Sequence, residues 1–460
     1  CNIGLCWKLP KLQHSNVIRG LTTSELISGE RIKMIRELTT SGSIRGEKEP
    51  LHISHNEIEG LANGISAFTA AVFIVGGMAG VGVLALPKAL ADTGWMGLVL
   101  IIVMGILSCT CGVVLSRSWL ILRRDFPEYR EHVRDPYPVI GFCAYGKTGK
   151  YVVQFCVNAT LIGYGVVFIL LAAENLDNLI ELNLTSISAK SEYRVWLVIC
   201  AVVLLPFTWL PTPKNFWPIA LFAMIGTAVA LLLIMIQIGV DFDGVAKTSP
   251  VTTTSFFSAF ASIAFSYGGT SGNPTIQCDM RRPSQFGTSV VLACITVILM
   301  YLPAPILGFL AFGDDTQGNI ITNLPSTSGI TKCVSALVTS HVLLGFVMNN
   351  NPVSQQLEEW LNVSKGRVTV KSCLVRTFLM LFILGLAQAV PHFDLFLNLL
   401  GSSTTTLLVF LFPCLFYLKL EPKISLHMKV FLYEIIVVAM LASVLSTYYA
   451  IKAIIQELSS

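Results

Sequence analysis

Charge is what this sequence has least of. Asp, Glu, Lys and Arg make up 13% of its 460 residues, against 53% hydrophobic ones, and the mean hydropathy is +0.70. A soluble domain is charged at about a quarter of its positions, so a soluble globular protein is excluded and a polytopic membrane protein remains. A net charge of +4 leaves no electrostatic footprint for nucleic acid. Metal-ligand spacing is missing too. The twelve cysteines are scattered, mostly inside apolar segments (Cys109, Cys111, Cys156, Cys200, Cys294, Cys414), where a thiol behaves as a small hydrophobe. Cys109-x-Cys111 is neither a zinc nor a redox motif. The apolar segments hold no catalytic constellation such as paired aspartates or a His-Glu-x-x-His helix, which argues against an enzyme. No ring of charges or filter sequence marks a channel.

What is present is a series of apolar segments, each long enough for a hydrocarbon core about 30 Å thick. They cover residues 65–90, 94–122, 151–173, 193–210, 216–240, 256–278, 287–312, 329–353, 372–390, 393–418 and 430–455, an expectation of about 11 transmembrane helices. Ahead of them, residues 1–60 carry eight Lys/Arg and seven Glu without a run resembling a signal peptide, and read as a disordered cytosolic tail. With that tail inside, only Lys88, Lys190, Arg194, Lys247, Lys332 and Lys452 of the 31 basic residues fall outside, the asymmetry that membrane insertion produces. Asn183-Leu184-Thr185 is a glycosylation sequon in an outer loop. The membrane domain then runs over 61–456, and 457–460 form a short outer or lumenal end.

Two of the segments are interrupted. In the first, Gly76, Gly77, Gly80 and Gly82 fall between residues 76 and 82, and each glycine costs a helix about 1 kcal/mol relative to alanine. An unwound break at membrane depth is tolerated only against protein or a cavity, although Gly76 and Gly80 also have the spacing of a close-packing seam. In the sixth, Ser266-Tyr267-Gly268-Gly269-Thr270-Ser271-Gly272-Asn273-Pro274 breaks the ladder at a proline. Two breaks five spans apart are the signature of an inverted repeat, with a carrier's binding site between them. Half-helix N-termini suit a carboxylate and freed carbonyls suit an ammonium group or a small cation, so the chemistry fits a zwitterion.

At these residues the chain resembles the amino acid/auxin permease family. The first broken span has Gly80-Val81-Gly82-Val83-Leu84-Ala85-Leu86-Pro87-Lys88-Ala89 followed by Gly94-Trp95. The segment after the second span has Tyr137, Ile140, Gly141, Ala144, Tyr145, Gly146 and Gly149, and the sixth ends in Pro274, Ile276, Gln277, Met280, Pro283 and Phe286. Span eight, from Ser340-His341-Val342 to Glu358, and Leu399 to Ser402 in span ten complete the match. The resemblance implies an all-α fold of the leucine-transporter type, a 5+5 inverted repeat with broken helices 1 and 6 plus one extra helix. It also implies cation-coupled symport of amino acids by alternating access. Two positions depart from the family pattern, Gly77 and Gly345.

On that basis the backbone around Gly80, Val81 and Gly82 and around Ser266, Tyr267, Gly268 and Gly269 is expected to hold the substrate's charged ends, with Tyr267 closing the pocket as an aromatic gate. Similarity to the fold's cation site assigns Na+ to the carbonyls of Gly76 and Ala79 with the hydroxyl of Thr339 or Ser340. Protons compete as the coupling ion, since no carboxylate stands near and His341, an intramembrane ionisable residue, is a candidate relay as well as a candidate interhelix hydrogen bond. Asp279 and Arg281 are expected to pair as an inner gate. No cofactor is expected beyond Na+ or H+. The partners are an amino acid and the lipid bilayer of a plasma, lysosomal or vesicular membrane. A nutrient receptor built on the same pocket is the alternative function.

Overall fold

In a computed structural model, the described residues are 64–131, 133–180, 189–210, 217–363, 369–390 and 392–459. The expected cytosolic tail and the Asn183 sequon lie outside them. The chain contains α1 (Ala67–Met78), α2 (Leu86–Thr93), α3 (Trp95–Asp125), α4 (Pro136–Leu179), α5 (Ala189–Thr208), α6 (Trp217–Val240), α7 (Thr253–Ser266), α8 (Asn273–Cys278), α9 (Phe286–Tyr301), α10 (Pro303–Phe312), α11 (Gly329–Trp360), α12 (Val370–Ala389), α13 (Phe393–Leu400), α14 (Phe412–Leu420) and α15 (Leu426–Ser459). Helix thus falls on every apolar segment read from the sequence. Among the described residues seven helical stretches are long and apolar enough to cross a membrane, and α1 with the chain from Val81 to Thr93 forms an eighth span bent by 45°. The last helix continues through 457–459.

The helix ends follow from local chemistry. Ser66 accepts the Thr69 N–H at 3.1 Å ahead of α1, Thr252 and Ser255 form a reciprocal capping box at α7, and Ser328 and Thr369 cap α11 and α12; each such side chain satisfies an orphan N–H of the first turn. Between α2 and α3 the chain reverses at Gly94, whose φ of +57° is open to glycine at little cost. The segment after α3 that carries Tyr137, Ile140 and Gly141 is helical. It opens α4, which kinks where Tyr145 and Gly146 leave helical geometry, and the Tyr137 hydroxyl donates to the Leu408 carbonyl at 2.5 Å.

Two layers emerge. α4 and α11 pack along each other, and α11 also packs on α6, making a frame. Inside it lie the broken pieces, with α2 against α7 and α1 against α9. Gln154 of α4 bonds Gln356 of α11 at 3.0 Å, and Ser328 bonds Gln237 of α6 at 2.6 Å, so these amides join helices as their positions in apolar runs suggest. Between α13 and α14 the helix widens into two π segments, Gly401–Thr405 and Leu407–Leu411. Three hydroxyls in and between them turn back on the helix, Ser403 and Ser402 donating to the Leu399 carbonyl and Thr406 to that of Gly401, while Thr404 accepts from Thr160 of α4.

Candidate functional site

The first break starts where α1 stops. The Ala79 N–H still reaches Val75 O at 2.7 Å, but the Gly80 N–H turns back on Met78 O at 2.7 Å. The chain then tightens into a 3₁₀ stretch, Val81–Ala85, before α2 begins with Pro87 in its first turn, a position where no N–H is needed. The second break repeats the plan. α7 ends at Ser266, a 3₁₀ stretch covers Gly268–Gly272, and α8 starts with Pro274 in its first turn.

The two breaks touch backbone to backbone. A Cβ on Gly269 would sit 2.4 Å from the Gly77 carbonyl oxygen, and one on Gly82 would sit 2.6 Å from the Ser266 Cα. Both distances are far inside van der Waals contact, so these two glycines are what lets the halves meet. At one end of the bundle the same two spans are zipped by a short parallel bridge. The Ile65 N–H donates to Asp279 O at 2.8 Å and the Arg281 N–H to Ile65 O at 3.0 Å. The Arg281 guanidinium donates to Gly64 O at 2.5 Å, so Asp279 and Arg281, expected to pair with each other, both engage the start of the first broken span here.

Beside the first break lies a hollow lined by Gly80, Val81 and Leu84, by Thr227 of α6, and by Val338 and His341 of α11. Its volume is about 10 Å³, room for one water molecule at most and much too small for an amino acid. His341 is buried, its Nδ1 lies 3.2 Å from the Thr227 hydroxyl, and a Cβ on Gly80 would stand 3.8 Å from its Nε2. The histidine therefore joins two helices and faces the unwound chain at once.

The other expected residues divide. Gly80 and Val81 line the hollow, while Gly82 is buried behind them against Ser266. The Ser266 hydroxyl donates to Ser262 O at 2.9 Å. Tyr267 does not form a gate: it is fully buried and its hydroxyl donates to Ile101 O of α3 at 2.9 Å. In an unwound stretch the helical period no longer dictates where a side chain points. The aromatic group at this break is Tyr164 of α4, whose hydroxyl is 2.2 Å from where a Cβ on Gly268 would be and whose ring meets Phe265 edge-on at 5.2 Å. Of the expected cation ligands, Ala79 and Thr339 are buried and Gly76 is half-buried. Ser340 is exposed, with its hydroxyl donating to Ala336 O at 2.7 Å, so it faces out of the bundle.

Two participants escape sequence reasoning. Thr227 is one threonine in a long apolar helix. Tyr301 closes an apolar run, yet its fully buried hydroxyl reaches Met78 O at 2.6 Å and Ser266 O at 2.9 Å, the last carbonyls of α1 and α7.

Comparison with known proteins agrees with this architecture. The chain is 26% identical over 412 residues to the Arabidopsis thaliana amino acid transporter AVT1B, covering 89% of this chain and 74% of the relative. It is 28% identical over 389 residues to AVT1C of the same plant, covering 83% and 69%. Among solved structures it is similar to MhsT in complex with L-phenylalanine, with a TM-score of 0.55 and 12% identity over 85% of this chain and 99% of that one. It is also similar to a Na+-coupled sialic acid symporter, with a TM-score of 0.52 and 12% identity over 84% and 89%. Those two likenesses show the fold, the leucine-transporter type with its paired broken helices. The profile of the transmembrane amino acid transporter protein family matches residues 63–453, and the chain belongs to that family of multi-pass membrane transporters.

Proposed function

We propose that this protein carries a small zwitterionic amino acid through the hollow between its first broken helix, α6 and α11 by alternating access, and that a proton handled by His341 drives it. The observation that carries the reading is the placement of His341: buried, bonded to Thr227, and facing Gly80 where the helix has unwound. Intramembrane ionisable groups are costly and concentrate on ion and substrate pathways, and an imidazole titrates near neutral pH. The backbone around Gly80 and Val81, where the helix has unwound, is the part of the break that faces the hollow and the substrate's charged ends. A second reading, Na+ on the carbonyls of Gly76 and Ala79 with the Thr339 hydroxyl, keeps three of the four oxygens assigned to it, and oxygen donors suit a hard cation. With the charge asymmetry of the loops, the zipped end at Ile65 and Arg281 faces the cytosol.

Uptake of labelled amino acids into proteoliposomes under an imposed pH or Na+ gradient tests this, with Gly80→Leu, which fills the hollow, as the inactive control. Accumulation driven by the pH gradient is the expected result. Accumulation driven by Na+ alone moves the coupling to the carbonyl set, and binding without accumulation under either gradient overturns the carrier in favour of a receptor.

A further inference from the structure

The ends of α1 and α7 present an electrostatic problem. Each is the C-terminal end of a helix, carrying the negative end of its dipole and carbonyls without intrahelical partners, and the close approach of the breaks brings the two together. A donor or a cation has to stand between them. The Tyr301 hydroxyl stands there, 2.6 Å from Met78 O and 2.9 Å from Ser266 O. Its single proton is shared by the two acceptors. The Met78 carbonyl takes the Gly80 N–H as well, so the same oxygen links the turn of the first break to the second.

Tyr301 is itself well held. Its ring packs on that of Tyr267, centroids 5.6 Å apart, and Tyr267 is anchored on α3 through Ile101 O. It is also the last residue of α9, directly before the Leu302-Pro303 step into α10, where the helix is already interrupted by proline. A side chain at such a step can shift with α10 without rewinding α9.

We propose that Tyr301 is a positioning residue of the transport cycle. Its hydroxyl is the tie that holds the ends of the two broken helices together beside the hollow, and opening the site requires that this hydrogen bond be released. The inference rests on the alternating-access reading, but its signature is conformational and does not need flux. Removing the hydroxyl weakens the closed state and leaves the ring packing in place.

The test is Tyr301→Phe in a background carrying Val81→Cys, with the reaction of residue 81 toward a small thiol reagent read by peptide mass spectrometry in membranes. The lost hydrogen bond is expected to raise the labelling rate about fivefold and to lower the maximal rate of uptake relative to the Val81→Cys parent, with the thermal melt little changed. Tyr137→Phe is the control, since it removes an equally buried tyrosine-to-carbonyl bond, to Leu408, that joins no break, and it should leave labelling at residue 81 unchanged. Wild-type labelling in Tyr301→Phe, or an equal rise in Tyr137→Phe, overturns the proposal. If Tyr301→Phe does not accumulate, Tyr301→Gln, whose amide falls short of the hydroxyl's position, replaces it with the same two outcomes. Absence of uptake by the protein with Val81 intact, while Tyr301→Phe in the Val81→Cys background still raises labelling, removes the transport reading and keeps the tie.

Discussion

His341 and Thr227 make the smallest unit on which a functional result hangs. Thr227 fixes the imidazole from α6, so the two substitutions should differ in kind. His341→Gln is expected to abolish uptake driven by a pH gradient while leaving amino acid exchange at equal pH, which needs no net proton movement. Thr227→Ala loses one hydrogen bond and should reduce gradient-driven uptake by about tenfold or less, with the pH profile displaced. Parallel measurements of net uptake and exchange in the same vesicles check both. The histidine was legible in the sequence because an ionisable residue in an apolar run is conspicuous. Thr227 and Tyr301 were not, because a threonine or tyrosine in such a run costs little and has no spacing that announces its partner. Tyr267 was misassigned for a third reason: its position in the break was correct, but its direction depends on φ and ψ values that no periodicity encodes.

At the scale of elements, the two breaks and their five-span separation were readable from glycine and proline, and the leucine-transporter type followed from the family resemblance. Their contact was not, since it joins Gly77 to Gly269 across nearly 200 residues. Gly269→Ala places a methyl group 2.4 Å from the Gly77 carbonyl oxygen, which forces backbone to move. It is expected to lower uptake by at least about tenfold and to reduce the melting temperature, because overpacking costs about 1–3 kcal/mol; uptake and melting of the purified variant measure this. The connection before α7 meets the one after α10 through a different device. Ser249 donates both its N–H and its hydroxyl to Asp314, and these hydrogen bonds hold that carboxyl below its ordinary value. A depressed carboxylate pKa stabilises the fold above the unfolded value and loses that contribution as pH falls through the folded one. Amide exchange at residue 249 should therefore speed up as pH falls through the acid carboxylate range, after correction for the intrinsic pH dependence of exchange, and Asp314→Asn should remove that step.

For the whole molecule, the frame depends on one buried ion pair. Arg376 of α12 donates to Glu358 of α11 at 2.6 Å and caps the end of α5 through Thr208 O and Leu210 O at 2.7 and 3.0 Å, tying three helices at one point. Arg376→Met leaves Glu358 buried with the Ser372 hydroxyl donating to it but without a counter-charge, and should cost about 3–5 kcal/mol, seen as a lower melting temperature. The double variant with Glu358→Leu should recover much of it, which separates an uncompensated charge from lost packing. The sequence showed Arg376 only as one basic residue in a count and Glu358 only as the end of the span-eight match, because pairing across 18 positions leaves no mark in composition. Span ten has the opposite character. Its two π segments bond each residue to the fifth one along rather than the fourth, so the helix carries surplus residues that an α-helix of equal reach would not need. Losing one residue between 401 and 411 would return a turn to ordinary register with both ends of the span in place, whereas the same loss from α11 would rotate everything beyond it by about 100°. Length, in this span, is held in reserve.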